Sequence, residues 1–293
     1  MMLKITALVK YALLLLALPF LLIAGPCRSQ NNRTDSLVDV LMNHPDRIMV
    51  TAHRGAHEHY PENSLKALKE AIRLGVDIVE TDVRQTKDHV LVMMHDAKVD
   101  RTTNGKGELA NYTYKQLLRL RLTQDGKPTE ERVPTLLQFL KAAKDKILVD
   151  LDYKLDDHDA LKRTYQAIEQ TNTQRQILFF LYGYKDMAWV NNLNPQIKIM
   201  PRAYSQDDVE QILALKIAKL IHIDESFYSD GLMKTIRDQH VRVWTNALGK
   251  YDDMEETSNT GFKALLTNER YANVIQTNLP EAWLKYLKKE GLH

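Results

Sequence analysis

The chain has 293 residues, is 44% hydrophobic and 27% charged, and carries a formal charge of +2 at neutral pH. These are globular values, and a nearly balanced charge gives no electrostatic case for nucleic-acid binding. The length is large for one ordinary domain and normal for one α/β barrel.

Residues 1–29 read as a secretory signal peptide: Lys4 and Lys10 precede the apolar stretch 11–24, and small or polar residues follow. That stretch is about 14 residues, short of the ~20 that cross a bilayer, so no membrane span is expected in the mature protein. The protein is therefore expected to be exported, either periplasmic or secreted. Cys27 is the only cysteine, which excludes an intrachain disulfide. Residues 22–27 look somewhat like a lipoprotein box, from which Pro26 departs. Lipidation through Cys27 and removal of Cys27 with the signal both stay open. Residues 30–46 read as an N-terminal lead-in, polar over 30–34, and 47–293 as the folded domain.

From Leu37 onward, β-like apolar runs alternate with helical periodicity. Strands are expected at 48–52, 78–83, 147–151, 177–181, 197–200, 220–223, 241–245 and 274–276. Helices are expected to begin near Ser64, Thr135, Asp159, Lys185, Gln206, Ser229, Asp252 or Phe262, and Pro280. Leu65, Leu68, Ala71 and Ile72 share one helical face, and Gly75 stands where a C-terminal cap belongs. Eight strand–helix units point to a TIM (β/α)8 barrel. The competing open doubly wound sheet is weakened because no Gly-x-Gly-x-x-Gly turn follows the first strand. Residues 87–132 break the alternation with a short run at 90–95, a turn-rich stretch and a helix near 114–120. They are too long for an ordinary connection and read as a small insertion after the second strand.

Chemistry-bearing residues gather where the runs stop. His53 and Arg54 follow the first strand, Glu80 and Asp82 lie two apart on the second, and Asp150 and Asp152 two apart on the third. His95-Asp96 ends the run after the second strand. A barrel places catalytic groups at the C-terminal ends of its strands, and residues two apart share a strand face. The acids therefore converge on the lumen, where unpaired carboxylates are costly. Salt bridges would offset that cost, as would one divalent cation, and oxygen-only ligands favour Mg²⁺ or Ca²⁺ over zinc.

In chain order, His53-Arg54-Gly55-Ala56, Pro61-Glu62-Asn63-Ser64, Glu80-Thr81-Asp82, His95-Asp96 and Asp100-Arg101-Thr102-Thr103-Asn104-Gly105 resemble the signatures of the glycerophosphodiester phosphodiesterases. The resemblance runs from Ile48 to about Pro280, specific in its first half and looser in its second. It implies a TIM barrel whose insertion caps the mouth, and metal-dependent cleavage of a small-molecule glycerophosphodiester to glycerol 3-phosphate and an alcohol. It further implies Glu80, Asp82 and an acid on the third strand as metal ligands, His53 and His95 as the general acid–base pair, and Arg54 as a phosphate binder. Histidine exchanges protons near neutral pH, and a guanidinium fork matches a phosphate edge. The implied reaction is attack of a substrate hydroxyl on phosphorus, giving a cyclic phosphate that water then opens.

The third strand departs from the family pattern. Where a Glu-Ile-Lys is usual, the aligned residues are Asp150-Leu151-Asp152. Asp150 then takes the ligand position, Asp152 stands at the lysine position, and Lys154 is placed to meet the phosphate from the loop; whether Asp150, Asp152 or both join Glu80 and Asp82 as metal ligands stays open. Val243-Trp244-Thr245-Asn246 resembles a Trp-Thr-Val-Asn strand end, so Trp244 would either wall the leaving alcohol or simply pack. Asn278 stands for the aspartate of a Thr-Asp-x-Pro. Arg202 reads as a surface arginine or a second phosphate contact, and His57, His59 and His89 as exposed loop residues. Two rival functions stay open: a phospholipase D-like member of the superfamily acting on lysophospholipids, and a non-catalytic phosphate- or glycan-binding barrel. His53 and His95 argue against the latter, since binding alone needs no acid–base pair. The sequence carries no signal for oligomeric state.

Overall fold

All eight expected strands form, with boundaries that move by no more than three residues. A computed structural model describes residues 32–155 and 157–293. The expected signal peptide, with Cys27, lies outside the described residues. The strands are β1 (Met49–Ala52), β2 (Ile78–Gln85), β3 (Leu148–Tyr153), β4 (Ile177–Leu181), β5 (Lys198–Ala203), β6 (Leu220–Ile223), β7 (Arg242–Asn246) and β8 (Val274–Thr277). Among the described residues they pair in parallel in chain order, and β8 returns to β1. The result is the closed TIM barrel the alternation predicts.

The lead-in expected over 30–46 is largely a helix, α1 (Arg33–Asn43). Its Leu37 and Leu41, four apart, are buried against the lower lumen with Met49, Ile78, Leu148, Met200 and Trp244. The helix thus closes the N-terminal end of the barrel with apolar side chains. It has no basic residue in its last turn. Arg242 at the start of β7 fills that role, donating to the carbonyls of Leu41 at 3.0 Å, of His44 at 2.7 Å and of Val40. A buried guanidinium thereby satisfies carbonyls that the helix end leaves without partners.

The outer helices follow local rules. Ser64 accepts from the amide of Ala67 to start α2 (Leu65–Leu74), which stops at Gly75 with φ of 84°. Thr135 caps α3 (Leu136–Ala143), and the ring continues through α4 (His158–Thr171), α5 (Met187–Leu193) and α6 (Gln206–Leu215). It ends with α7 (Asp230–Asp238), α8 (Lys250–Ser258), α9 (Gly261–Asn268) and α10 (Pro280–Glu290).

The stretch 87–132 holds a short strand, Leu91–Met93, antiparallel to β2, a single helical turn at Tyr114–Leu117 and a tight hairpin. It has its own apolar cluster of Val92, Met94, Val99, Leu109, Leu117 and Leu122. Gln124 of its hairpin reaches the backbone oxygens of His57 and Glu58, both at 3.4 Å. The insertion is therefore anchored beside the barrel mouth.

Candidate active site

The first turn sets the geometry of the mouth. Arg54 (φ 53°) and Gly55 (φ 86°) follow each other in the left-handed region. A Cβ at Gly55 would lie 2.8 Å from the Cβ of Ala67, so this position excludes side chains by space as well as by torsion. The reversal aims the amide of Arg54 at Glu80, whose Oε2 accepts at 2.9 Å. The guanidinium of Arg54 donates to Glu62 at 3.0 Å and lies 3.5 Å from Asp82. A non-glycine residue held left-handed next to reactive groups is strain retained at a functional position. Asn63 is also left-handed, with φ of 57°. Its amide nitrogen donates to Asp82 Oδ2 at 2.8 Å, and its carbonyl oxygen accepts from Thr81 and from the amide of Asp82. Asn63 thus fixes the carboxylate of Asp82 from a neighbouring loop.

Register then gathers the acids. Glu80 is paired with Asp150, and Asp82 with Asp152, across β2 and β3. Glu80, Asp82 and Asp152 bring carboxylate oxygens within 4.8 Å of one another. Lys154 closes one side, 2.5 Å from Asp152 and 3.5 Å from Asp82. Tyr182 donates to Asp152 at 2.9 Å and accepts from Lys154 at 2.6 Å.

Two histidines flank the acids. His53 Nδ1 donates to Asn278 Oδ1 at 2.8 Å, which leaves Nε2 facing Glu80 at 3.9 Å. Asn278 is itself held by Asp252, which accepts from its amide at 2.8 Å and from Thr277 at 2.6 Å. His95 Nδ1 donates to Asp96 at 2.7 Å. Arg101, from the insertion, donates to both oxygens of Asp96, at 2.7 and 3.0 Å, and to both oxygens of Glu62, at 2.6 and 2.9 Å. One arginine therefore joins the residue that orients His95 to the residue that holds Arg54.

Comparison with known proteins shows the family. Residues 53–270 match the glycerophosphoryl diester phosphodiesterase family. The chain belongs to that family. A glycerophosphodiester phosphodiesterase from Caldanaerobacter subterraneus subsp. tengcongensis is 28% identical over 84% of this chain and all of its own. The fold is shared with a glycerophosphoryl diester phosphodiesterase from Parabacteroides distasonis at a TM-score of 0.76 and 23% identity, covering 88% of this chain and 92% of the other. It is also shared with a phosphodiesterase from Oleispira antarctica, solved in complex with the product sn-glycerol-3-phosphate, at 0.68 and 20%, covering 84% and 98%.

Within this phosphodiesterase barrel, three sequence expectations change. Asp152, not Asp150, stands with Glu80 and Asp82. Asp150 is one pleat deeper, buried, and its Oδ1 has no hydrogen-bond partner. Asp152 and Lys154 thus supply an acid and a base to the cluster from the end of β3. Trp244 cannot wall a leaving alcohol, because it is fully buried in the lower lumen with its indole nitrogen donating to Gln276 at 3.2 Å. His57 is half-buried, 6.2 Å from the ring of His53, and shares the oxygen of Asn278 at 3.1 Å. His59 and His89 are exposed as expected. Arg202 is half-buried and held by Asp224 at 2.7 Å. Asn278, Tyr182 and the clamping role of Asn63 had no sequence signal beyond motif membership.

The acids fit a cation of the oxygen-seeking kind. Burial raises the carboxyl of Glu80 well above its ordinary range, and Asp82, Asp152 and Asp150 add repulsion. Asp150 is raised in the same way, and Asp152 is raised by burial despite Lys154. Burial and Arg54 pull His53 down to about 4, so its ring is neutral at physiological pH. Carboxyls raised on folding stabilise the fold while protonated, and that contribution is lost as pH climbs from the ordinary carboxylate range through the raised values. A divalent cation reverses the loss by compensating the anions. Added Mg²⁺ or Ca²⁺ is thus expected to raise Tm more at about pH 8 than at about pH 5, and Glu80→Gln to shrink the gain. Thermal melts checking this would contradict the account if the gain were equal or larger at the lower pH.

Proposed function

We propose that this protein hydrolyses glycerophosphodiesters to glycerol 3-phosphate and an alcohol, with Glu80, Asp82 and Asp152 holding one divalent cation and His53 and His95 moving the protons. Membership of the family carries the enzyme class: the chain is a glycerophosphodiester phosphodiesterase. The observation that carries the site is the meeting of three carboxylates within 4.8 Å beside a neutral, oriented imidazole. The product held by the Oleispira antarctica neighbour supports the choice of product.

A bound Mg²⁺ or Ca²⁺ would supply positive charge against the phosphate oxygens. Asn278 Oδ1 accepts a hydrogen bond from Nδ1–H of His53, so Nε2 presents a lone pair to a substrate hydroxyl and acts as base. Asp96 accepts a hydrogen bond from Nδ1 of His95, so that ring in its protonated form keeps an Nε2–H for the leaving oxygen, and water then opens the resulting cyclic phosphate to glycerol 3-phosphate. Arg54 and Lys154, both at the acid cluster, are the cations available to the phosphate edge. A binding-only barrel would need none of this proton-transfer geometry.

Replacing His53 or His95 with alanine is expected to lower kcat by roughly 10²–10⁴-fold. The double variant should fall well short of the product of the two losses, because the pair acts as a unit. Steady-state kinetics on glycerophosphocholine and glycerophosphoglycerol with a divalent cation is the check. Wild-type kcat in His53→Ala on every cleaved substrate would overturn the assignment.

We also propose export, on the strength of Lys4, Lys10 and the apolar stretch 11–24. Sequencing the mature N-terminus should place it after Ala24, and an intact Met1 on cytosolic protein would rule export out.

A further inference from the structure

We propose that the cleft over the ends of β3, β4 and β5 binds an apolar group carried by the leaving alcohol, so that the preferred diesters bear an alkyl or aryl body there. This rests on the hydrolytic function proposed above and names the substrate class for it.

The cleft has a volume of about 600 Å³. Apolar and aromatic side chains dominate its lining, among them Leu155, Leu161, Leu181, Tyr182, Trp189 and Tyr204. Tyr182, Trp189 and Tyr204 are 47, 37 and 51% exposed, large rings of the lining left open to water. Trp189 is held edge-on by His158 at 4.9 Å, and Tyr182 by Phe180 at 5.0 Å, so the rings are positioned and not loose. A site of this size and composition suits a sizeable apolar ligand.

Tyr182 makes the cleft continuous with the reaction centre. Its hydroxyl bonds both Asp152 and Lys154, while its ring lines the cleft. A diester whose phosphate meets Lys154 has this cleft open to one of its substituents across Tyr182. Glycerol is a poorer occupant than an apolar body, since it leaves the aromatic and aliphatic part of this lining uncovered. An alkylammonium headgroup is also disfavoured. The rings that would receive it already carry protein cations, Lys154 5.4 Å from the centre of Tyr182 and Arg202 5.0 Å from that of Tyr204. The formal charges along the lining nearly balance, with Asp157, Asp186 and Asp208 against Lys185 and Arg202. Apolar burial is the interaction that remains.

The test compares three glycerophosphodiesters with ethanol, 2-phenylethanol or choline as the leaving alcohol, with a divalent cation present. The phenylethyl ester should exceed the ethyl ester in kcat/KM by about tenfold or more, mostly through KM, given what one or two apolar groups contribute in a pocket. Trp189→Ala and Tyr204→Ala should each bring that ratio toward one, and Trp189→Phe should keep most of it. Melting curves identify any variant that fails to fold. A wild-type ratio near one, a choline ester cleaved better than the phenylethyl ester, or a ratio unmoved in both alanine variants overturns the proposal. Equal cleavage of all three esters defeats the cleft alone, whereas cleavage of none defeats the hydrolytic function and the cleft with it.

Discussion

Everything at the mouth of this barrel answers to one electrostatic constraint: carboxylates of Glu80, Asp82 and Asp152 meet in a space that burial has stripped of water. Like charges at such separations are tolerated only if protons, cations or hydrogen-bond donors compensate them. The protein uses all three means. It raises the acids' proton affinity, places Lys154 and Arg54 alongside, and brings backbone and side-chain amides from neighbouring loops. A group of acids so heavily supported, yet still repelling, fits the divalent cation proposed for it.

The fold makes this affordable by separating two jobs along the strands. Their lower, inward side chains are apolar and are sealed by Leu37 and Leu41 of α1. Their upper ends carry the chemistry. The connecting loops do the aiming: the left-handed Arg54 and Asn63 direct hydrogen bonds onto Glu80 and Asp82. The insertion then ties the two histidine neighbourhoods together through Arg101, so the cap is part of the site's scaffold.

The barrel was legible in the sequence because eight β-branched runs alternate with helical faces, and strands recur where those runs stand. The histidines, Glu80 and Asp82 were legible because they sit where runs end. What failed has a common physical origin. A period of two tells which face a residue shares but not how deep along the strand it lies. Asp150 and Asp152 both point inward, in register with Glu80 and Asp82, and only the side-chain geometry groups Asp152 with Glu80 and Asp82. Trp244 points inward too, but below the mouth. His57 lies in a loop, and no periodicity could show the turn folding it back onto Asn278. The helix α1 was hidden by polar residues around two leucines whose partners lie far along the chain.

The central claim is that Glu80, Asp82 and Asp152 are a cation site and that the deeper Asp150 is outside it. Calorimetric titration of Ca²⁺ or Mg²⁺ into wild-type protein, Asp152→Asn and Asp150→Asn tests it most directly. The account predicts a single divalent ion bound by the wild type, retained by Asp150→Asn and lost or severely weakened in Asp152→Asn. No binding by the wild type, or loss in Asp150→Asn with retention in Asp152→Asn, would contradict it.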